Sequence, residues 1–138
     1  MKTKALGLGV VFCISGVFAC GGASALTAAD WVGTYAGSDT VSLTDGGTGT
    51  VMFDVQVAAG DIYNSVSVGN LQDDGVIFNP FQMSVRNDGL SAATSCGLSA
   101  GQPVGIECNA SLKDRRELIM TGKDCSSGVT FSVSATKK

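Results

Sequence analysis

Apolar and polar residues alternate along most of the chain beyond Trp31. Val51, Phe53, Val55 and Val57 stand against Met52, Asp54 and Gln56. Val129, Phe131, Val133 and Ala135 stand against Thr130, Ser132, Ser134 and Thr136. Phe81, Met83 and Val85 repeat the pattern, as do Ile106, Cys108, Ala110 and Leu112. A period of two sends successive side chains to opposite faces of a strand. One apolar and one wetted face is how strands of an antiparallel sheet read. Between the runs lie Asp45-Gly46-Gly47, Gly60-Asp61, Asp73-Asp74-Gly75, Asn87-Asp88-Gly89 and Ser126-Ser127-Gly128, residues that tolerate the positive φ of tight turns. Lys113-Asp114-Arg115-Arg116 turns a further hairpin. No stretch of the chain after the first nineteen residues shows a capped 3.6-residue period, so no helix is expected there.

The pattern predicts an all-β domain over residues 30–138 with about eight strands, near 32–37, 39–43, 50–58, 62–69, 76–86, 105–112, 116–122 and 128–136. Short connections make sequential strands neighbours, an antiparallel meander. Eight such strands can close into a small barrel and so remove exposed edges. A two-sheet β-sandwich is the alternative.

The first residues follow another rule. Met1-Lys2-Thr3-Lys4 is positive, and Ala5 to Phe18 is an unbroken apolar and small-residue run. The run is shorter than the roughly 20 residues a membrane-spanning helix needs, and it has the form of a secretory signal over residues 1–19. Val17-Phe18-Ala19-Cys20, followed by Gly21-Gly22, resembles a bacterial lipobox, in which the cysteine is acylated and becomes the new N-terminus. The competing site is Ala23-Ser24-Ala25, a small-x-small cut before Leu26 that would release a periplasmic or secreted protein. The lipobox is preferred because it ends the apolar run directly. Residues 20–29 then form the lipidated start and a small, polar tether. In lipoproteins of this kind an Asp after the cysteine causes retention at the inner membrane; Gly21 stands there, so the resemblance implies the outer membrane.

Charge narrows the partners. The chain has nine Lys and Arg against twelve Asp and Glu, net −3; without Lys2 and Lys4 it has seven against twelve, net −5. That balance excludes nucleic acid, which needs clustered basic residues. There is no histidine, so Ser-His-Asp and Cys-His catalysis are absent in their usual forms and transition metals lose their commonest ligand. Gly46-Gly47-Thr48-Gly49 lacks the lysine and following helix of a phosphate loop. Asp73-Asp74 and Asn87-Asp88 lack the spacing of a calcium loop. No catalytic residue, metal ligand or cofactor site is expected.

Trp31-Val32-Gly33-Thr34-Tyr35 resembles the opening of lipocalin-like and related small barrels, where a Trp beside a Gly closes one end of the barrel. With the lipobox and a few cysteines, the chain is similar to small envelope lipoproteins of the deltaproteobacterial type. The resemblance makes Trp31 and Tyr35 candidate ligand-binding residues; as core or rim aromatics they would serve the fold alone.

Cys13 falls in the signal, and Cys20 is lipidated or removed. Cys96, Cys108 and Cys125 remain in an oxidising compartment, enough for one disulfide and one thiol. Three single pairings are open; Cys108 shares a strand face with Ile106 and Leu112, which favours it as the buried free thiol and Cys96–Cys125 as the pair, the remaining alternative being a thiol that pairs with a partner protein. The combined expectation is a non-enzymatic outer-membrane lipoprotein, held by its lipid anchor, that binds other envelope proteins as an accessory subunit of a surface, secretion or motility assembly. The alternative is a carrier of small apolar ligands inside the barrel.

Overall fold

The computed structural model describes residues 26–138. Cys20, the signal boundary at residue 19 and the start of the tether lie outside them. A short helix α1 (Ala28–Trp31) precedes β1 (Gly33–Ser42), β2 (Thr48–Ala59), β3 (Ser65–Gly69), β4 (Gln72–Asp73), β5 (Val76–Ile77) and β6 (Phe81–Val85). There follow β7 (Ser91–Thr94), β8 (Gly97–Ser99), β9 (Gln102–Val104), β10 (Ile106–Lys113), β11 (Glu117–Asp124) and β12 (Thr130–Lys137).

Eight strands close a barrel in the order β10-β11-β12-β1-β2-β3-β6-β7, so the sheet is a barrel and not a sandwich. Every neighbouring pair is antiparallel. β4–β5 and β8–β9 are two small hairpins that leave the barrel between β3 and β6 and between β7 and β10. Followed once around the barrel from Tyr35, the pairing returns to β1 about ten residues further along. An eight-stranded barrel is just wide enough to be filled by side chains or to hold one small ligand. Here it is filled. Val55, Val66, Val68, Met83, Leu112, Leu118 and Met120 are buried along the inner face, with Phe131 and Val133 beside them. Phe53 and Phe81 are half-buried against this cluster. β10 alternates without exception, Ile106, Cys108, Ala110 and Leu112 in, Glu107, Asn109, Ser111 and Lys113 out.

Two inward glycines fit the large rings. A Cβ on Gly122 would strike the Glu107 carbonyl and the Phe131 ring, and one on Gly37 would meet the Phe53 ring. The aromatic side chains therefore occupy the space that these residues leave.

The predicted count of eight survives through two compensating differences. The predicted strands at 32–37 and 39–43 are the single strand β1: Ser38, left between them, continues the pairing opposite Met52, and Asp39 beyond it points inward and is buried. β7 falls in the stretch from 91 to 105 expected to be a connection. Its Ser-Ala-Ala-Thr sequence has too little apolar contrast to show a period. The expected strand 76–86 is cut at Asn79-Pro80 into β5 and β6. The tether expected over 20–29 ends earlier: Leu26 and Ala28 pack on the core, and α1 begins inside it. A four-residue helix is too short to show a period. Its start is nonetheless fixed by the Thr27 amide donating to Asp30 Oδ2 at 2.8 Å.

Strand direction gives the barrel two unlike ends. At the helical end lie α1, the turns at 60–64, 86–90 and 113–116, and the end of β12. At the disulfide end lie the 43–47 turn, both excursion hairpins and the 125–129 turn.

Candidate functional site

At the helical end the chain is sealed by its own aromatics. Trp31 is fully buried, and its Nε1 donates to the Gly89 carbonyl at 2.8 Å. The Tyr35 hydroxyl donates to the Trp31 carbonyl at 2.7 Å. The Lys137 ammonium lies 5.5 Å from the centre of the Tyr35 ring and donates to the Asp30 carbonyl at 2.8 Å. Arg115 pairs with Asp30 at 2.6 Å, and backbone and side-chain donors from Thr27, with Arg115, hold the Asp30 carboxyl below the usual range. Burial pushes the Tyr35 phenol up to about 12. The structure thus brings Trp31 and Tyr35 together, but as a plug with no surface open to a ligand.

The second opening is closed by the excursion over residues 70–80. Leu71 and Phe78 are buried there, and the Phe78 ring meets Phe131 edge-on at 4.9 Å. The hairpin is held by a carboxylate that the sequence reading did not single out. Asp39 accepts the Asp74 amide at 2.7 Å and the Gly75 amide at 2.9 Å, and Asp73 accepts the Ser132 amide at 2.8 Å. The signal was present in parity: Asp39 stands two positions after Gly37 and four after Tyr35 on the inner face. A carboxylate placed there needs donors from elsewhere in the chain.

The Gly75 amide foremost, then that of Asp74, lowers the Asp39 carboxyl against the opposing effect of burial. A carboxyl lowered by folding stabilises the native state fully above its unfolded value and loses that contribution as pH falls through the folded one. Asp39→Asn is therefore expected to lower the melting temperature at pH 7 by about 5 °C. It should also lose less stability than wild type between pH 7 and pH 2. Thermal denaturation at both pH values checks this, and equal acid losses in the two proteins would remove Asp39 from the account.

Cys96 and Cys125 form a disulfide with Cα atoms 5.8 Å apart, joining the start of the 95–105 excursion to the β11–β12 turn. That turn is ordered by Asp124, whose Oδ1 accepts the Ser126 and Ser127 amides at 2.8 and 3.0 Å. Cys108 is free and buried inside the barrel. Burial pushes its thiol up to about 12. The thiolate is the reactive form, so this thiol is inert in the native state. A thiol-specific colorimetric reagent is expected to find no fast-reacting thiol in the native mature protein and one per chain in guanidinium. A thiol that reacts within seconds without denaturant would contradict the packing described.

Among the described residues no three His, Cys, Asp or Glu side chains gather as a metal site would require. Cys20 lies outside the described residues. Among them, no helix is long and apolar enough to cross a membrane. The chemistry on display is that of surfaces. The disulfide end exposes Leu98, Ile77, Leu43 and Val129 beside Asp45, Asp74 and Glu107.

The fold defines the class as an all-β, eight-stranded antiparallel up-and-down barrel. No protein-family model, curated protein or solved structure matches the chain.

Proposed function

We propose that the chain is an envelope lipoprotein of the outer membrane, acylated at Cys20, whose barrel serves without catalysis as a partner-binding subunit of an envelope assembly. The observation that carries this reading is the direction of the barrel. Leu26 and α1 enter at the helical end, so an anchor upstream of them leaves the disulfide end pointing away. That far end holds both excursion hairpins, and on their strands Leu98 and Ile77 stand 78% and 71% exposed. It also holds six carboxylates, Asp39, Asp45, Asp73, Asp74, Glu107 and Asp124, against the single cation Lys123. Exposed apolar side chains within an acidic surround suit a partner with an apolar pocket and a basic rim. The carrier reading finds no such support, because the side chains of Phe131, Met120, Met83 and their neighbours occupy the interior where a ligand would sit.

A photo-crosslinking residue placed at Leu98 or Ile77 in cells tests the reading, with Asn109 on the outer face of β10 as the control position. The expected result is one discrete adduct from the disulfide end and none from Asn109. No adduct from Leu98 and Ile77, or the same products from all three positions, would overturn it.

A further inference from the structure

We propose that the helical end of the barrel is a membrane-contacting surface that seats in the headgroup region of a phospholipid bilayer, standing the barrel upright. The proposal rests on the lipoprotein reading for what brings this end to the bilayer, and three observations carry it.

The first is where the described chain begins. Leu26 packs over Gly89 so closely that a Cβ on Gly89 would strike the Leu26 carbonyl, which fixes the incoming chain to this end of the barrel. Cys20 is six residues earlier, and six residues cannot reach further than about 20 Å. An acyl group on Cys20 therefore keeps the helical end close to the lipid, whichever path the tether takes.

The second is the apolar rim at this end. Tyr63 is 98% exposed and Ile62 is 74% exposed at the tip of the β2–β3 turn. Leu90 follows Gly89 in the β6–β7 turn, and Val32 follows α1; both are exposed. Val32 and Ile62 line one shallow groove with Ala28 and Ala59, about 340 Å³ in volume. The Asn64 side chain donates to the Val85 carbonyl at 2.8 Å, so the turn that carries Ile62 and Tyr63 is held to the neighbouring strand. A tyrosine beside aliphatic side chains on a loop tip suits the boundary between water and hydrocarbon, where one side of the ring is wet and the other apolar.

The third is charge. Of the seven Lys and Arg among the described residues, six lie at the helical end: Arg86, Lys113, Arg115, Arg116, Lys137 and Lys138. Six carboxylates accompany them there, Asp30, Asp61, Asp88, Asp114, Glu117 and Asp54, the last paired with Lys138 at 2.9 Å, so this end is close to neutral. The disulfide end carries its six carboxylates with only Lys123. Both ends expose apolar side chains, but an anionic leaflet repels one end and not the other. Charge thereby selects the end that the tether already brings near.

Upright seating has a consequence for the proposed partner. Leu98, on the excursion at the disulfide end, then stands away from the lipid and out of competition with it.

Tryptophan placed at either end reads the orientation. Tyr63→Trp and Leu98→Trp both keep the native Trp31, so each added signal is taken relative to wild type. The full chain is purified from membranes in detergent and reconstituted into vesicles of phosphatidylcholine and phosphatidylglycerol, with and without brominated acyl chains. The added emission of Tyr63→Trp is expected to be blue-shifted and quenched at least about twofold by the brominated lipid, and that of Leu98→Trp to be unchanged. Equal quenching of both, quenching of Leu98→Trp alone, or quenching of neither would overturn the proposal. The intact mass of the same preparation reports the acyl anchor separately. If no acyl group is present, the same pair of variants added to the vesicles as soluble protein still decides which end, if either, meets the lipid.

Discussion

Trp31→Ala is expected to cost about 3–5 kcal/mol of unfolding free energy, the range for deleting a large buried aromatic. Trp31 is fully buried at the barrel mouth and is the largest side chain of the core. Its removal also leaves the Gly89 carbonyl without the indole donor, and α1 loses the only buried side chain it contributes. For a domain near 110 residues, a loss of this size lowers the melting temperature by roughly 15 °C or more. Trp31→Phe keeps most of the apolar volume and loses the donor, so it should fall between the two. Urea unfolding followed by far-ultraviolet circular dichroism measures all three proteins without relying on indole fluorescence. An alanine variant within about 1 kcal/mol of wild type would show that the helical end is not closed by this plug.

Loss of the Cys96–Cys125 bridge is expected to be nearly as costly. The two cysteines are 29 residues apart in sequence. Closing a loop of that length removes unfolded-chain entropy equivalent to about 3–4 kcal/mol. The bridge spans β8, β9, β10 and β11, and beside it the Cys125 amide donates to the Gly105 carbonyl at 2.8 Å. A Cys96→Ala, Cys125→Ala double variant should therefore unfold at a clearly lower denaturant concentration than the oxidised protein. Wild type held under a strong reductant should match the double variant. Cys108 is buried among inward side chains and is in no position to substitute as a partner. If the double variant and wild type unfold together, the bridge contributes nothing to the mature domain.

The parts of the fold that were legible in the sequence are those where one face of a strand is apolar throughout. Along β10 and β12 the inner residues, Ile106 to Leu112 and Phe131 to Ala135, are separated from polar outer ones at every step, and the period of two is unmistakable. The hairpin turns were legible because Asp74-Gly75 and Asp114-Arg115 take positive φ, in the first pair at residues suited to it. The excursions were not. A two-residue strand such as β4 or β5 is too short to display any period, and β7 offers only Ala92 as a buried apolar residue. The role of Asp39 was not legible, for a definite reason: the amides it accepts lie more than thirty residues away in the sequence, and the local pattern contains no trace of them. Of the candidate site residues, Trp31 and Tyr35 were singled out by the resemblance of Trp31-Val32-Gly33-Thr34-Tyr35 to the opening of lipocalin-like barrels. Their role as a plug became visible only with Gly89 and Lys137, which come from opposite parts of the chain.

In the proposed arrangement a lipid on Cys20 holds the barrel to the envelope by its helical end, and intact-mass analysis with N-terminal sequencing of the mature protein extracted from membranes reads this out. The expected result is a blocked N-terminus at Cys20 and a mass above that of the unmodified chain from Cys20 by diacylglycerol and, in a fully processed form, an amide-linked acyl chain. Cys20→Ala should abolish that modification and move the cleaved domain from the detergent phase to the aqueous phase of a Triton X-114 partition. An unmodified mature chain that begins at Leu26 would contradict that arrangement.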